Sequence, residues 1–365
     1  MLNLRVLAGR RPSGCAICLH LMLKRPHNSH SSELSLISAI RARAGAARGG
    51  LRLGIGDDCA ILRPRANEDI VVTTDLLLER VHFRREWHSA EAVGHRCLAR
   101  GLSDLAAMGA RPVAAFLSLG LPRELTRASG RGRGRRAWVD RFFDGLLALA
   151  DAHKTPLAGG DLAESPIAVA DIVLVGAVRR GHALLRSGAR PGDLLYVTGS
   201  LGGAAAGLER LSGLAGAGSS GHLRAVKIPK SLEVVLAPHL YPQPRIAQGL
   251  SLQRRGLATA ALDVSDGLST DLRHLCEESG VAALVESDSL PVHPAASTDQ
   301  ALHGGEDYEL LFTAHPTTRI PRRLAGVPVT EIGRITRVRP GEPIVQLIAG
   351  RIAEPLEPRG WEHFS

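Results

Sequence analysis

A chain of 365 residues with 44% hydrophobic content has room for two domains, each with its own core. Aromatic residues make up only 3%, so those cores must rest on Leu, Val, Ile and Ala, and no apolar run reaches membrane-spanning length. The formal charge of +9 is concentrated in Met1–His30 and Arg127–Arg136; removing their ten basic residues takes it to −1, which argues against a general nucleic-acid face.

Residues 1–30 are Arg-rich and free of acids, and read as a disordered leader: either a targeting presequence, or residues ahead of a true start nearer Met22. Within them Cys15-Ala16-Ile17-Cys18 has the spacing of half a zinc site, but no second pair follows. Reduced thiols in a cytoplasmic protein account for all five cysteines.

Ser32-Glu33-Leu34 opens a helix that runs to Ala44. A Gly-rich stretch leads to Gly54-Ile55-Gly56-Asp57-Asp58, which lacks the third glycine of a dinucleotide fingerprint. Ile70–Thr74 reads as a buried strand ending at Asp75, and His82 follows between apolar Val81 and Phe83, a structural residue or a ligand. Ser89 caps a helix to about Met108, stopped by Gly109, that places Val93, Cys97, Gly101 and Asp104 on one face. A carboxylate on such a face needs a cation, from an Arg partner or a metal.

Val113–Leu121 is a strand and Trp138–Ala150 an amphipathic helix; the Arg-rich run between them reads as a surface-loop insertion. Leu157–Asp161 ends a further strand in two glycines and an acid, and Ile167–Val178 is a long apolar strand. The turn-rich segment Arg186–Asp193 marks a domain boundary. Beyond it, strand Leu194–Val197 meets an Ala-rich helix through Thr198-Gly199-Ser200-Leu201-Gly202-Gly203, where glycines free backbone N–H groups for phosphate. Ser212–Gly221 is a small-residue linker. Ala260–Val264 is a strand, and Ser265 or Asp266 caps the helix that begins at Leu268. His303–Asp307 precedes a strand, Tyr308–Thr313. Strands alternating with helices predict an α/β or α+β fold.

The acids Asp57/Asp58, Asp75, Asp104, Asp161 and Asp263/Asp266 mostly stand beside strand ends or glycine turns, without Cys or His at zinc spacing. All-oxygen sites of this kind favour Mg²⁺ or Ca²⁺, and Mg²⁺ shares its ligands with substrate phosphates. That points to phosphoryl transfer, although no Walker loop or kinase glycine loop is present.

Nine stretches in order, GIGDDCAIL, VVTTDLLLERVHF, LSDLAAMGARP, AGGD, RSGARPGD, YVTGSLGGAAAGL, LDVSDGLSTDL, GGEDYELLF and the closing GWEHF, resemble the thiamine-monophosphate kinase family of the aminoimidazole ribonucleotide synthetase superfamily. The resemblance runs from about Glu33 to Phe364. It implies an N-terminal α/β domain, 31–183, that dimerises through its sheet, and a C-terminal α/β domain, 184–365, with the site in the cleft. It implies direct transfer of the γ-phosphoryl group from ATP to thiamine phosphate with several Mg²⁺ ions, in a cytoplasmic homodimer with no nucleic-acid or membrane partner.

Carried over by motif, the Mg²⁺ ligands are Asp58, Thr74, Asp75, Asp104, Asp161, Asp263 and Asp266, with Thr73 adjoining. ATP contacts fall to Gly160, Asp161, Arg186 and Ser265, and thiamine phosphate to His82, Glu306 and Trp361. Asp263, Asp266 and Arg186 stand at the transferring group. Trp361 can stack on a cationic thiazolium. Two positions depart from the family pattern: Leu162 stands where Thr is common, and Gly203 where Asp is usual. Sister synthetases of the superfamily would share the acids, but GGEDYELLF and Trp361 favour thiamine phosphate. A basic nucleic-acid-binding protein is the reading from another class, resting on the two Arg-rich stretches alone.

Overall fold

The computed structural model describes residues 33–45, 50–56, 59–128, 136–216 and 228–361. The leader with Cys15 and Cys18, Asp57 and Asp58, most of the Arg-rich run, part of the small-residue linker and Glu362–Ser365 lie outside the described residues.

The N-terminal unit comprises α1 (Glu33–Ala44), β1 (Leu51–Leu53), β2 (Ile61–Leu62), β3 (Glu68–Leu78), α2 (Ala90–Ala107), β4 (Arg111–Leu121), α3 (Trp138–Ala152), β5 (Leu157–Glu164) and β6 (Val169–Arg179). Its sheet has the order β3-β6-β4-β5, with β4 and β5 parallel and the other pairs antiparallel.

The C-terminal unit comprises β7 (Leu194–Thr198), α4 (Gly203–Gly216), α5 (Glu233–Leu240), α6 (Ile246–Arg255), β8 (Ala260–Asp263), α7 (Leu268–Ser279), β9 (Ala282–Glu286), α8 (Thr298–His303), β10 (Leu310–Ala314), β11 (Arg323–Leu324), β12 (Val327–Thr336), β13 (Val345–Ala349) and β14 (Ile352–Pro355). Its mixed sheet runs β14-β13-β9-β12-β7-β10-β8, with β11 paired to β12.

Helix α2 ties the two units together. The Ser89 hydroxyl accepts from the Ala92 N–H at 3.1 Å, and the chain leaves the helix through Met108 and left-handed Gly109 at φ +63°. Between these ends nearly every side chain is buried, because β3, β6 and α3 pack on one side and α5, α6 and β8 on the other. A helix enclosed all round is apolar all round, which is why its few polar residues matter. Gly94 lets α3 approach: a Cβ there would meet the Phe142 carbonyl oxygen at 1.9 Å. Strand β10 shows the two-residue period of a sheet covered on both faces. Leu310, Phe312 and Ala314 join the core around α2, whereas Leu311 packs with Leu272 and Leu275 of α7.

Three local expectations change. β3 continues three residues beyond Asp75, so that acid sits within a strand. Leu157–Asp161 begins β5 and does not end it: Gly160, at φ +146°, lies so close to β4 that a Cβ would meet the Leu117 carbonyl oxygen at 1.9 Å. Finally, α7 is preceded by Gly267 with no side-chain cap from Ser265 or Asp266. Asp271, in its first turn, reaches back instead and accepts from the N–H groups of Ser265, Asp266 and Gly267, each at 3.0 Å.

Candidate active site

Arg96, Arg100, Ser103 and Asp104 of α2 make their contacts in one region, whereas Glu91 pairs with Arg141 of α3 and His95 bonds the Pro242 carbonyl. Asp104 accepts a hydrogen bond from the Thr73 hydroxyl of β3, and Ser103 donates to Asp263 at the end of β8 at 2.5 Å. Asp75 lies two residues beyond Thr73, on the same face of β3. No Arg ion pair to Asp104 is present among the described residues; its charge is felt at a distance by Arg186 and Arg100.

These carboxyls repel one another. Burial, with Asp104 and Asp171 nearby, raises Asp75 to about 6 even though Arg100 opposes the shift. Burial and the neighbouring Asp263 raise Asp104 to about 7. Asp263, 4% exposed, is also pushed upward, by burial first and by Asp75, with Arg186 pulling it back. Clustered acids held partly neutral by desolvation and mutual repulsion make a place where added positive charge is stabilised.

The donor chemistry fits a hard cation: carboxylates and hydroxyls, no thiolate or imidazole at the acids. Among the described residues, no three His, Cys, Asp or Glu side chains converge as a closed metal cage. Mg²⁺ in general keeps several waters and takes one or two carboxylates together with substrate phosphate. Asp58 falls outside the described residues.

Two of the residues expected to meet substrate, Glu306 and Trp361, rest on the Val264–Gly267 turn. The Glu306 N–H donates to the Ser265 carbonyl at 2.7 Å, and the Trp361 N–H to the Asp266 carbonyl at 3.1 Å. Glu306 is held at a left-handed φ of +67° and its carboxylate receives Arg96 Nη2 at 2.6 and 2.7 Å. Arg96, only 2% exposed, also donates to the His82 carbonyl at 3.1 Å and to His239 Nε2 at 2.7 Å. His82 is fixed by its own backbone turn, its Nδ1 accepting from the Leu78 N–H at 3.0 Å. Burial and adjacent Arg96 lower His88 to about 3 and His239 well below its usual value, so both rings are neutral acceptors around a permanent cation. Trp361 itself is half exposed.

Three residues sit elsewhere. Thr74 alternates to the opposite face of β3 from Thr73 and Asp75 and is exposed. Asp75 pairs with Ile172, Ile172 with Leu117, and Leu117 with Gly160. Gly160 is therefore three strands away, about 14 Å at normal strand spacing. Asp161 shares its row with Ser118, Asp171 and Leu76, on the face away from α2. Gly160 and Asp161 instead line a separate cavity of about 590 Å³, with Ile55, Cys59, Phe116 and Leu117 in its wall.

The glycine loop after β7 does not offer its amides as expected. Asp307 accepts from the Gly202 N–H at 2.5 Å and the Ala204 N–H at 3.0 Å, and the Leu201 N–H bonds the Pro291 carbonyl. Asp307 thus caps α4 from within the chain and fills the place proposed for a phosphate. Arg136, at the end of the Arg-rich run, is bonded to Asp144 of α3, with Nη2 to Oδ1 at 3.0 Å.

Sequence reading missed Arg96, Arg100 and Asp271. The two arginines were legible as an i, i+4, i+8 row with Asp104; Asp271 was visible as the acid six residues after Ser265, but side-chain caps are ordinarily sought before a helix, not inside it.

Two family models match the chain: AIR synthase related protein, N-terminal domain, over residues 56–178, and AIR synthase related protein, C-terminal domain, over residues 190–346. The thiamine-monophosphate kinase of Escherichia coli (strain K12) is 36% identical over 352 residues, covering 91% of this chain and 98% of that protein. The crystal structure of thiamine-monophosphate kinase from Stenotrophomonas maltophilia K279a superposes with a TM-score of 0.70 at 41% identity, over 87% of this chain and 96% of that one. A structure of AaThiL complexed with AMPPCP and TMP gives a TM-score of 0.69 at 32% identity, over 91% and 97%.

Proposed function

This chain belongs to the thiamine-monophosphate kinase family of AIR synthase related proteins, and from that premise we propose that it transfers the γ-phosphoryl group of ATP to thiamine phosphate, giving thiamine diphosphate and ADP. The observation that carries the reading is that α2 ties β3 to β8 through neighbouring residues, Asp104 to Thr73 and Ser103 to Asp263, with Asp75 within electrostatic reach and Arg96 holding Glu306 and the His82 carbonyl.

An oxygen of the accepting phosphate attacks the γ-phosphorus in line; the new P–O bond forms as the bond to the β,γ-bridging oxygen breaks and ADP departs with its electron pair. The acceptor is already ionised at neutral pH, so no strong general base is needed. Mg²⁺ held by Asp75, Asp104, Asp263 and Asp266, with Thr73 beside them, would neutralise charge between the two polyanions. Arg186, whose charge acts on Asp104 and Asp263, would stabilise the transferring group. Ser265, on the turn that Asp271 clamps, would contact ATP. Glu306, His82 and Trp361 position the thiamine phosphate. The relative holding AMPPCP and TMP supports both substrates.

The apolar cavity beside Gly160 suits the adenine of ATP, with Asp161 in its wall, where it would meet the phosphates through Mg²⁺. Ile70, Val72 and Leu76 on the open face of β3 are 43%, 61% and 45% exposed, an apolar strip that the second copy of a homodimer would cover. Thr74 lies on that same face. Among the described residues no helix is long and apolar enough to cross a membrane, and a cytoplasmic location fits a supply of ATP.

The test is to incubate purified protein with ATP, Mg²⁺ and thiamine phosphate and separate the products by chromatography. Thiamine diphosphate and ADP should appear in equal amounts and vanish with EDTA; ADP formed without thiamine diphosphate would refute the acceptor assignment.

A further inference from the structure

Arg100 occupies the space between the acids on β3 and the Glu306 carboxylate, one helical turn from Arg96 and one from Asp104. The two arginines differ in their commitments. Arg96 is buried and holds Glu306 at 2.6 and 2.7 Å, with further bonds to His239 and the His82 carbonyl. Among the described residues Arg100 makes only long polar contacts: Nε and Nη2 each lie 3.4 Å from Asp75 Oδ1, and Nη1 lies 3.6 Å from Glu306 Oε1. Its side chain is 17% exposed, more open than that of Arg96 at 2%.

A guanidinium carries five N–H donors in a flat fork that matches a phosphate or carboxylate edge. Contacts at 3.4–3.6 Å leave that fork poorly used. On the proposed reaction, the acceptor phosphate must lie between the acids that gather the donor phosphates and the residues that hold the thiamine end. Arg100 is the side chain that touches both sets, Asp75 on one side and Glu306 on the other.

We infer that Arg100 is a substrate-binding residue whose guanidinium grips the phosphate of thiamine phosphate and holds it toward the nucleotide. The inference deepens the functional reading and rests on it. When the phosphate arrives, Arg100 exchanges its long contacts to Asp75 for short bonds to phosphate oxygens, and Asp75 is released for its role beside the nucleotide. Arg96 meanwhile keeps Glu306 in place, so the organic part of the substrate is unaffected by the exchange.

The experiment is calorimetric titration of thiamine phosphate and of thiamine into the protein with Mg²⁺ and AMPPCP present, for the unaltered protein, Arg100→Met and Arg100→Lys. Arg100→Met should weaken thiamine phosphate by about 10- to 100-fold, the loss expected for hydrogen bonds to a charged group. Thiamine, which lacks the phosphate, should bind as before, and so should AMPPCP in a separate titration, which also reports intact folding. Arg100→Lys keeps the charge without the fork and should fall between the two. Parallel weakening of thiamine and thiamine phosphate would show a structural role and overturn the inference. A loss confined to AMPPCP would assign Arg100 to the nucleotide and overturn it equally. If the unaltered protein binds no thiamine phosphate, the inference and the functional reading beneath it both fall.

Discussion

Asp271 is the residue whose removal should most clearly separate this account from a simpler one. Its carboxylate receives three consecutive backbone N–H groups, those of Ser265, Asp266 and Gly267, at 3.0 Å each. That clamp shapes the turn presenting Asp263, Ser265 and Asp266, on which the Glu306 and Trp361 backbones also rest. In Asp271→Ala the Gly267 N–H is left buried without its partner, which costs about 1–3 kcal/mol; the two half-buried donors regain water and cost roughly 0.5–1.5 kcal/mol each. The sum is about 2–6 kcal/mol, against which relief of a carboxyl pushed up to about 8 by burial, Asp263 and Asp266 returns a part. Urea unfolding should therefore show a loss of roughly 2–3 kcal/mol, and turnover should fall even where the variant is fully folded, because the turn no longer holds its acids in place. A variant with full turnover and a stability change under about 0.5 kcal/mol would refute the clamp.

His88 is buried and neutral, lowered to about 3 chiefly by burial, with Arg96 adding to the effect. Below about 6.5 the unfolded chain takes up a proton that the folded one refuses, so stability is complete above that pH and drains away as pH falls toward 3. By pH 5 this group should cost about 2 kcal/mol relative to pH 7.5, and His88→Asn should flatten that slope in paired urea titrations; equal slopes would contradict the assignment. Arg96→Met leaves Glu306 with Arg100 and the neutral His239 ring, each at 3.6 Å, and should cost roughly 2–4 kcal/mol and raise the KM for thiamine phosphate, with no rescue by Arg96→Lys. A thermal melt and a substrate titration check both effects. Gly94→Ala drives a methyl group into the Phe142 carbonyl and should lower stability by about 1–3 kcal/mol; an unchanged melting temperature would show that α2 and α3 can part freely.

Much of the N-terminal unit was legible because its elements carry local signals. Ser89 and Gly109 bracket α2 as their chemistry requires, and β4 and β6 are long apolar runs. The C-terminal unit was less legible. Helices α5 and α6 lack side-chain N-caps, and Pro238 lies within α5, so ordinary start and stop signals are missing. The site acids were visible as residues, and two of their environments were not. Asp307 occupies the amides after β7, and Asp271 those before α7, because an acid distant in sequence or inside the helix can outcompete the local cap. Gly160 read as a strand end, yet its glycine serves a close approach to β4 that only the register reveals.

The central claim is that acids on β3, α2 and β8 act together through divalent cations to gather two polyanions. Counting bound Mn²⁺ by electron paramagnetic resonance, with AMPPCP present, tests it most directly in the unaltered protein and in Asp104→Asn. The account predicts tightly bound, nucleotide-dependent Mn²⁺ in the former and fewer or weaker ions in the latter, with the fold intact. Identical Mn²⁺ binding in both proteins would contradict it.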